Sequence, residues 1–209
     1  LVHETVYETL LQKLAERSAE VIVGDPADPA TGMGPMSSQA HCTKVLGYIQ
    51  SAMDDGARVV CGGGKAQVAG CEGGFFVQPT VLADMTNTMR AAREEIFGPV
   101  LAVIKFATQE EAIALANDTD YGLSAGVWTR DLVRAQQIAA DLNAGSIWIN
   151  DWHMMRTDAP FGGFRQSGHG REFGKYSIDG YVETKSVSLA FETSTGKKAL
   201  HRIVHTRMA

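Results

Sequence analysis

Val100-Leu101-Ala102-Val103-Ile104-Lys105-Phe106 is apolar at every position but Lys105. An unbroken apolar run of this length, bounded by Gly98-Pro99 before it and Thr108 after it, reads as a strand buried on both faces. Beyond Phe106 the hydrophobic period alternates between helix and strand. Thr108 opens a helix, with Glu111 three residues on as a capping-box partner, and the helix carries Ala112, Leu115 and Ala116. Tyr121-Gly122 turns the chain into a strand, Leu123 to Trp128. A helix over about Asp131 to Leu142 presents Leu132, Ala135, Ile138, Ala139 and Leu142, and Gly145 to Ile149 is the next strand. Strand, helix, strand, helix, strand with short linkers is the grammar of βαβ units, so the expected fold class is α/β with a parallel sheet.

Upstream, residues His3 to Val21 read as a helix with Val6, Leu10 and Leu14 on one face. Gly24-Asp25-Pro26 begins a loop. Ser37 or Ser38 caps a second helix whose stripe is Cys42, Val45, Leu46, Ile49 and Met53, closed by Gly56 at a left-handed C-cap. Arg58 to Cys61 is a short strand. Phe75 to Leu82 is extended but contains Pro79, which makes it an edge strand or breaks it there. Downstream, Asp151 to Arg171 is glycine-rich and aperiodic and is expected to be a long ordered loop, the kind that carries function. Thr184, Ser186 and Ser188 alternate with Val187 and Leu189, so Glu183 to Phe191 reads as a late strand. Residues 192–209 read as a poorly anchored polar tail.

Composition narrows the function classes. The 209 residues are 44% hydrophobic and 21% charged, which suits a packed domain rather than a disordered chain. A net charge of −5 is the wrong sign for a nucleic-acid partner, and no apolar run reaches membrane-spanning length. Three cysteines, Cys42, Cys61 and Cys71, do not make a disulfide framework and point to a reducing, cytoplasmic compartment. None has an activating base nearby in sequence, so each reads as an incidental thiol. His201 and His205 have metal-ligand spacing but no partner close by, and no metal is expected. Gly62-Gly63-Gly64-Lys65 lacks the remainder of a phosphate loop.

Two acids, Glu94 and Glu95, precede Ile96-Phe97-Gly98-Pro99 at the entrance to the buried strand. On the residues alone they read most simply as solvated acids beside a core phenylalanine. The run Arg93-Glu94-Glu95-Ile96-Phe97-Gly98-Pro99-Val100, however, resembles a signature of the aldehyde dehydrogenase superfamily. Tyr121-Gly122-Leu123-Ser124-Ala125-Gly126-Val127-Trp128-Thr129 and Gly145-Ser146-Ile147-Trp148-Ile149-Asn150 are similar to its next two strands. Pro160-Phe161-Gly162-Gly163-Phe164-Arg165-Gln166-Ser167-Gly168-His169-Gly170-Arg171-Glu172 resembles its C-terminal signature. Long motifs in the right order over residues 1–191 are far more specific than one short match.

The resemblance implies a parallel-sheet catalytic domain of aldehyde dehydrogenase type with a C-terminal oligomerisation strand. Residues 1–182 would be the catalytic-domain portion, 183–191 the oligomerisation strand and 192–209 the tail. It implies that Glu95 hydrogen-bonds the ribose hydroxyls beside the nicotinamide of NAD or NADP and that Phe97 packs against the nicotinamide ring. Trp152, His153, Met154 and Met155 would shape the mouth of the tunnel for a small-molecule aldehyde. An aromatic ring and two thioethers there suit a moderately large apolar or aromatic group, while His153, Arg156 and Asp158 leave a charged one open. The family's nucleophilic cysteine, which forms a thiohemiacetal and then a thioester, and its general base have no matching position in this chain; they are expected upstream. A homodimer or homotetramer is implied. The competing reading is a non-enzymatic assembly or binding module that keeps the fold. On the resemblance, the 209-residue chain alone should reduce neither NAD+ nor NADP+ with any aldehyde, as absorbance of the reduced cofactor over an aldehyde panel will check.

Overall fold

A computed structural model of the chain describes residues 1–191, 193, 194 and 197. Two compact units are distinguished: Leu1–Met154 with Gly162–His169, and Met155–Phe161 with the residues from Gly170 onward.

In the first unit the apolar runs become β1 (Val2–His3), β2 (Arg58–Cys61), β3 (Thr80–Ala83), β4 (Val100–Ala102), β5 (Lys105–Phe106), β6 (Ser124–Val127) and β7 (Ser146–Ile149). The helices are α1 (Tyr7–Ala19), α2 (Gln39–Asp54), α3 (Arg90–Arg93), α4 (Gln109–Asn117) and α5 (Leu132–Asp141). β4 pairs parallel with β3, β5 pairs parallel with β1, and β6 pairs parallel with β7; β2 adds antiparallel to β3. The α/β expectation therefore holds. The single strand expected over Val100–Phe106 is divided between two partners. Val103 bonds to the β3 side, donating to Leu82 and accepting from Met85, while the Ile104 carbonyl accepts from Val2. Successive peptide groups on a strand face opposite edges, so the run changes partner at its midpoint.

The caps follow the side chains available. Ser38 accepts from the His41 amide, Thr108 from Glu111 and Asp131 from Arg134. The Glu111 carboxylate returns to the Ala107 amide, one residue earlier than in the standard box. Gly56 ends α2 at φ 96°, as its position predicts. β3 starts immediately after Pro79 and lies in the middle of its sheet, so of the two expectations for that run the break is correct and the edge strand is not.

Which face of each helix is buried depends on the sheet beneath it. α1 buries Tyr7 and Leu11, while Val6 and Leu10 are exposed. Tyr7 wins because its hydroxyl is satisfied on the sheet, donating to the Val103 carbonyl and accepting from the Asp84 amide. α2 buries Cys42, Val45, Tyr48, Ile49 and Ala52, with Met53 turned outward. The main core is this face of α2 packed on Val77, Leu82, Met85 and Ala91. α4 has no buried residue and α5 only Ala135. Their apolar stripes instead line a groove of about 920 Å³ with Leu10, Val127 and Trp128.

In the second unit, Phe161 and Glu172 exchange both backbone hydrogen bonds, and the Gly174 amide donates to the Thr157 carbonyl. Within this single chain residues 183–191 form no strand, and all are exposed. Alternation supplies one strand but not its partner, and among the described residues none lies alongside. Of the tail expected over 192–209, all but residues 193, 194 and 197 lies outside the described residues, His201 and His205 included. Among the described residues no helix is long and apolar enough to cross a membrane.

The two readings of α2 separate experimentally. Ile49→Ala removes a side chain that is 1% exposed and should cost about 2–5 kcal/mol. Met53→Ala, four residues along, should cost less than about 1 kcal/mol. Urea midpoints of the two variants measure the contrast.

Candidate functional site

The segment Glu94–Pro99 leaves α3 and crosses α2 before entering β4. Four residues of α2 meet it, at spacings that place them on one helix face. The Tyr48 hydroxyl donates to the Glu94 carboxylate at 2.8 Å. Lys44 Nζ donates to the Glu95 carbonyl at 3.2 Å. His41 Nε2–H donates to the Phe97 carbonyl at 2.7 Å. Val45 lies beneath Gly98, where a Cβ would come within 2.6 Å of it. A carbonyl can only accept, so Nε2 carries the hydrogen, and Nδ1, 3.0 Å from Ser37 Oγ, accepts from that hydroxyl.

The clamp holds an unfavourable conformation. Phe97 has φ 54°, the left-handed region that costs a side-chain-bearing residue about 1–2 kcal/mol. The residue is 73% exposed. Ile96, by contrast, packs on the main core. Glu95 is exposed, and among the described residues its carboxylate has no hydrogen bond or ion pair. Of the two acids, Glu94 is the anchored one, and the Glu95 side chain is the one left unpaired among the described residues.

The electrostatics around Glu94 fit that division. The Tyr48 hydroxyl, and then the Arg90 guanidinium 3.1 Å away, hold its carboxyl below the ordinary carboxylate range. The same hydrogen bond pushes the Tyr48 phenol up, since it favours the protonated form. A depressed carboxyl contributes stability above its ordinary pKa and loses it as pH falls through the depressed value; solvent screens this half-exposed group. Arg90 also stacks 4.5 Å from the Tyr48 ring centroid. On the other side Arg93 bonds to the Asn87 carbonyl and Asp118, tying α3 to the end of α4.

Glu95 also borders a cavity of about 530 Å³ with Gly122, Ala125, Asn143, Gln166 and Ser167. This brings the first part of the C-terminal signature to the β6 entrance. The Gly122 amide donates to Ser167 Oγ and its carbonyl accepts from Phe164; Arg165 donates to the carbonyls of Asn117 and Thr119.

Trp152, His153 and Met154 stand at the end of β7. Trp152 is 5.4 Å from Trp148, edge to face, and 6.4 Å from Trp128; His153 is 5.9 Å from Trp148. Trp148 Nε1 donates to the Met154 carbonyl at 3.1 Å, and the Asn150 amide grips both backbone groups of Thr129. Trp152, Met154 and Met155 are exposed, and Met155 belongs to the second unit. The cysteines are all free: Cys42 in the core, Cys61 at the end of β2 and Cys71 in a turn. Among the described residues no cluster could hold a metal.

Sequence patterns single out Glu95 and Phe97 but not His41, Lys44 and Tyr48. The available signal was a second stripe on α2, three, four and seven residues apart, lying beside the apolar one.

A sequence model described as the Aldehyde dehydrogenase family matches residues 1–187. Betaine aldehyde dehydrogenases of Cereibacter sphaeroides and Mesorhizobium japonicum are 50% and 47% identical over 186 residues, 89% of this chain. The chain spans 38% of the length of these curated relatives. Among solved structures, an aldehyde dehydrogenase of Bacillus cereus in complex with NAD+ superposes with a TM-score of 0.87 at 43% identity, covering 91% of this chain and 38% of that one. A Mycobacterium tuberculosis aldehyde dehydrogenase complexed with NAD+ gives 0.86 at 41% identity, covering 92% and 39%. With the clamped Glu95–Phe97 turn, the parallel α/β frame and a family match over residues 1–187, this chain belongs to the aldehyde dehydrogenase family.

Proposed function

We propose that the chain supplies the nicotinamide-facing wall and part of the substrate mouth of an NAD+-dependent dehydrogenase that oxidises an aldehyde to a carboxylic acid. The observation that carries this reading is the pairing of a free Glu95 carboxylate with an exposed Phe97 ring on a clamped turn. The residues fit a nicotinamide riboside. A carboxylate accepts from two neighbouring hydroxyls at once, and an aromatic face restricts where a flat ring can lie. Bound there, the cofactor supplies a hydride acceptor. Glu95 would hold the ribose and Phe97 would limit the ring's swing, both from backbone positions that α2 fixes. The NAD+ named for the B. cereus and M. tuberculosis structures supports that cofactor over NADP+.

For the substrate, Trp152, His153 and Met154 of the first unit are the proposed mouth. Trp152 offers a half-exposed ring beside Trp148 and Trp128. Such a face suits a bulky apolar group, or a quaternary ammonium held by cation–π attraction. The names of the C. sphaeroides and M. japonicum relatives favour the second, since betaine aldehyde carries a trimethylammonium group. Residues 183–191 are proposed to add to a sheet edge of a second copy: Val187, Leu189 and Phe191 are 82%, 74% and 89% exposed. Three free thiols support a cytoplasmic location.

The tests use the dehydrogenase that contains this chain. Glu95→Gln should lower the single-turnover hydride-transfer rate roughly tenfold or more while leaving the aldehyde KM nearly unchanged. An unchanged rate would remove Glu95 from the cofactor site. Trp152→Ala should raise KM for betaine aldehyde more than for a short neutral aldehyde; equal effects would favour the apolar class. Complete absence of cofactor reduction by the unmodified enzyme, over a broad aldehyde panel, would favour the binding-module reading.

A further inference from the structure

The turn that presents Glu95 and Phe97 is held on one side by α2, which bonds the backbone carbonyls of Glu95 and Phe97 and the carboxylate of Glu94. We infer that α2 is the positioning platform for the cofactor-facing turn, with His41 and Tyr48 as its two fixing points. The inference rests on the cofactor reading of Glu95 and Phe97.

A phenylalanine at φ 54° does not hold that geometry by itself. The peptide after Phe97 is the one that must be rotated, and its carbonyl is the atom His41 holds. Ser37, one residue before the α2 N-cap, accounts for the other ring nitrogen, so the imidazole is fixed at both ends. At the near end of the turn, Tyr48 is 4% exposed and its hydroxyl holds Glu94, the residue before Glu95. Glu95 thus sits between two pinned residues, with its own carbonyl on Lys44. Its side chain keeps rotational freedom while its backbone has little. His41 and Tyr48 touch the presenting segment rather than the reacting atoms, so they are positioning residues.

The experiment uses three variants of the same dehydrogenase with Glu95→Gln as reference. His41→Ala removes the donor to Phe97; His41→Gln returns an N–H donor; Tyr48→Phe removes one hydroxyl and keeps the ring. The expected result is a hydride-transfer rate lowered roughly tenfold or more and a raised NAD+ KM in His41→Ala and Tyr48→Phe, with aldehyde KM within about twofold. His41→Gln should recover most of the loss. A merely structural role would move the melting temperature and leave the NAD+ KM in place. If His41→Ala does not fold, Tyr48→Phe decides. Hydride transfer and NAD+ KM within about twofold of the parent in both His41→Ala and Tyr48→Phe overturn the platform while Glu95→Gln remains impaired. Failure of His41→Gln to recover function overturns the donor role of His41. A normal rate in Glu95→Gln itself overturns the cofactor reading instead.

Discussion

The contact between Gly98 and Val45 is the constraint on which the arrangement turns. A β-carbon at Gly98 would fall 2.6 Å from Val45, and Val45 is fully buried in the core beneath. Backbone therefore lies directly on the helix, which brings the carbonyls of Glu95 and Phe97 within reach of side chains only one turn apart on α2. The same descent delivers Val100 to β4 in register with Thr80. Sheet, helix and turn meet at one point, and the main core is continuous with it through Ile96 and Val100.

The unit is asymmetric about that point. Around α2 and β2–β4 the chain is tightly closed, with ten buried residues in one cluster. Around α4, α5 and β6 it is open: amphipathic helices of the expected pattern surround a groove of about 920 Å³ in place of a filled core. Burial is what normally selects a helix's orientation. On the two helices at the groove, burial is limited to Ala135 of α5, and Asn117 at the end of α4 bonds to Asp141 at the end of α5 and to Asn143 just beyond it.

The sequence made local chemistry legible. Helix starts at Ser38 and Thr108 and the glycine stop at Gly56 are encoded by single side chains reaching the adjacent backbone, and each is where its residue type demands. The βαβ order followed from periodicity. What stayed hidden depends on residues distant in sequence. Val6, Leu10 and Leu14 make as good a stripe as Tyr7 and Leu11, and the distant partners of the Tyr7 hydroxyl, the Asp84 amide and the Val103 carbonyl 96 positions on, decide between them. The partner exchange within Val100–Phe106 likewise depends on β1, where Val2 pairs with Lys105, more than a hundred residues downstream. Glu94 and Glu95 look interchangeable in sequence; Tyr48 separates them. The run 183–191 has the alternation of a strand but no partner within the described chain, a limit that no pattern inside the segment could reveal.

A left-handed phenylalanine resting on a helix also changes how genetic variation here is to be read. The turn takes its shape from α2, and α2 is held by Cys42, Val45, Ile49 and Ala52 in the interior. A methyl group added or lost at those positions would act on the helix that carries the clamps, because a close-packed interior transmits a volume change to its neighbours. Such a change would reach the turn without altering Glu95 or Phe97 themselves. Substitutions in the interior and substitutions in the turn can therefore share one outcome, a displaced Glu95 and Phe97.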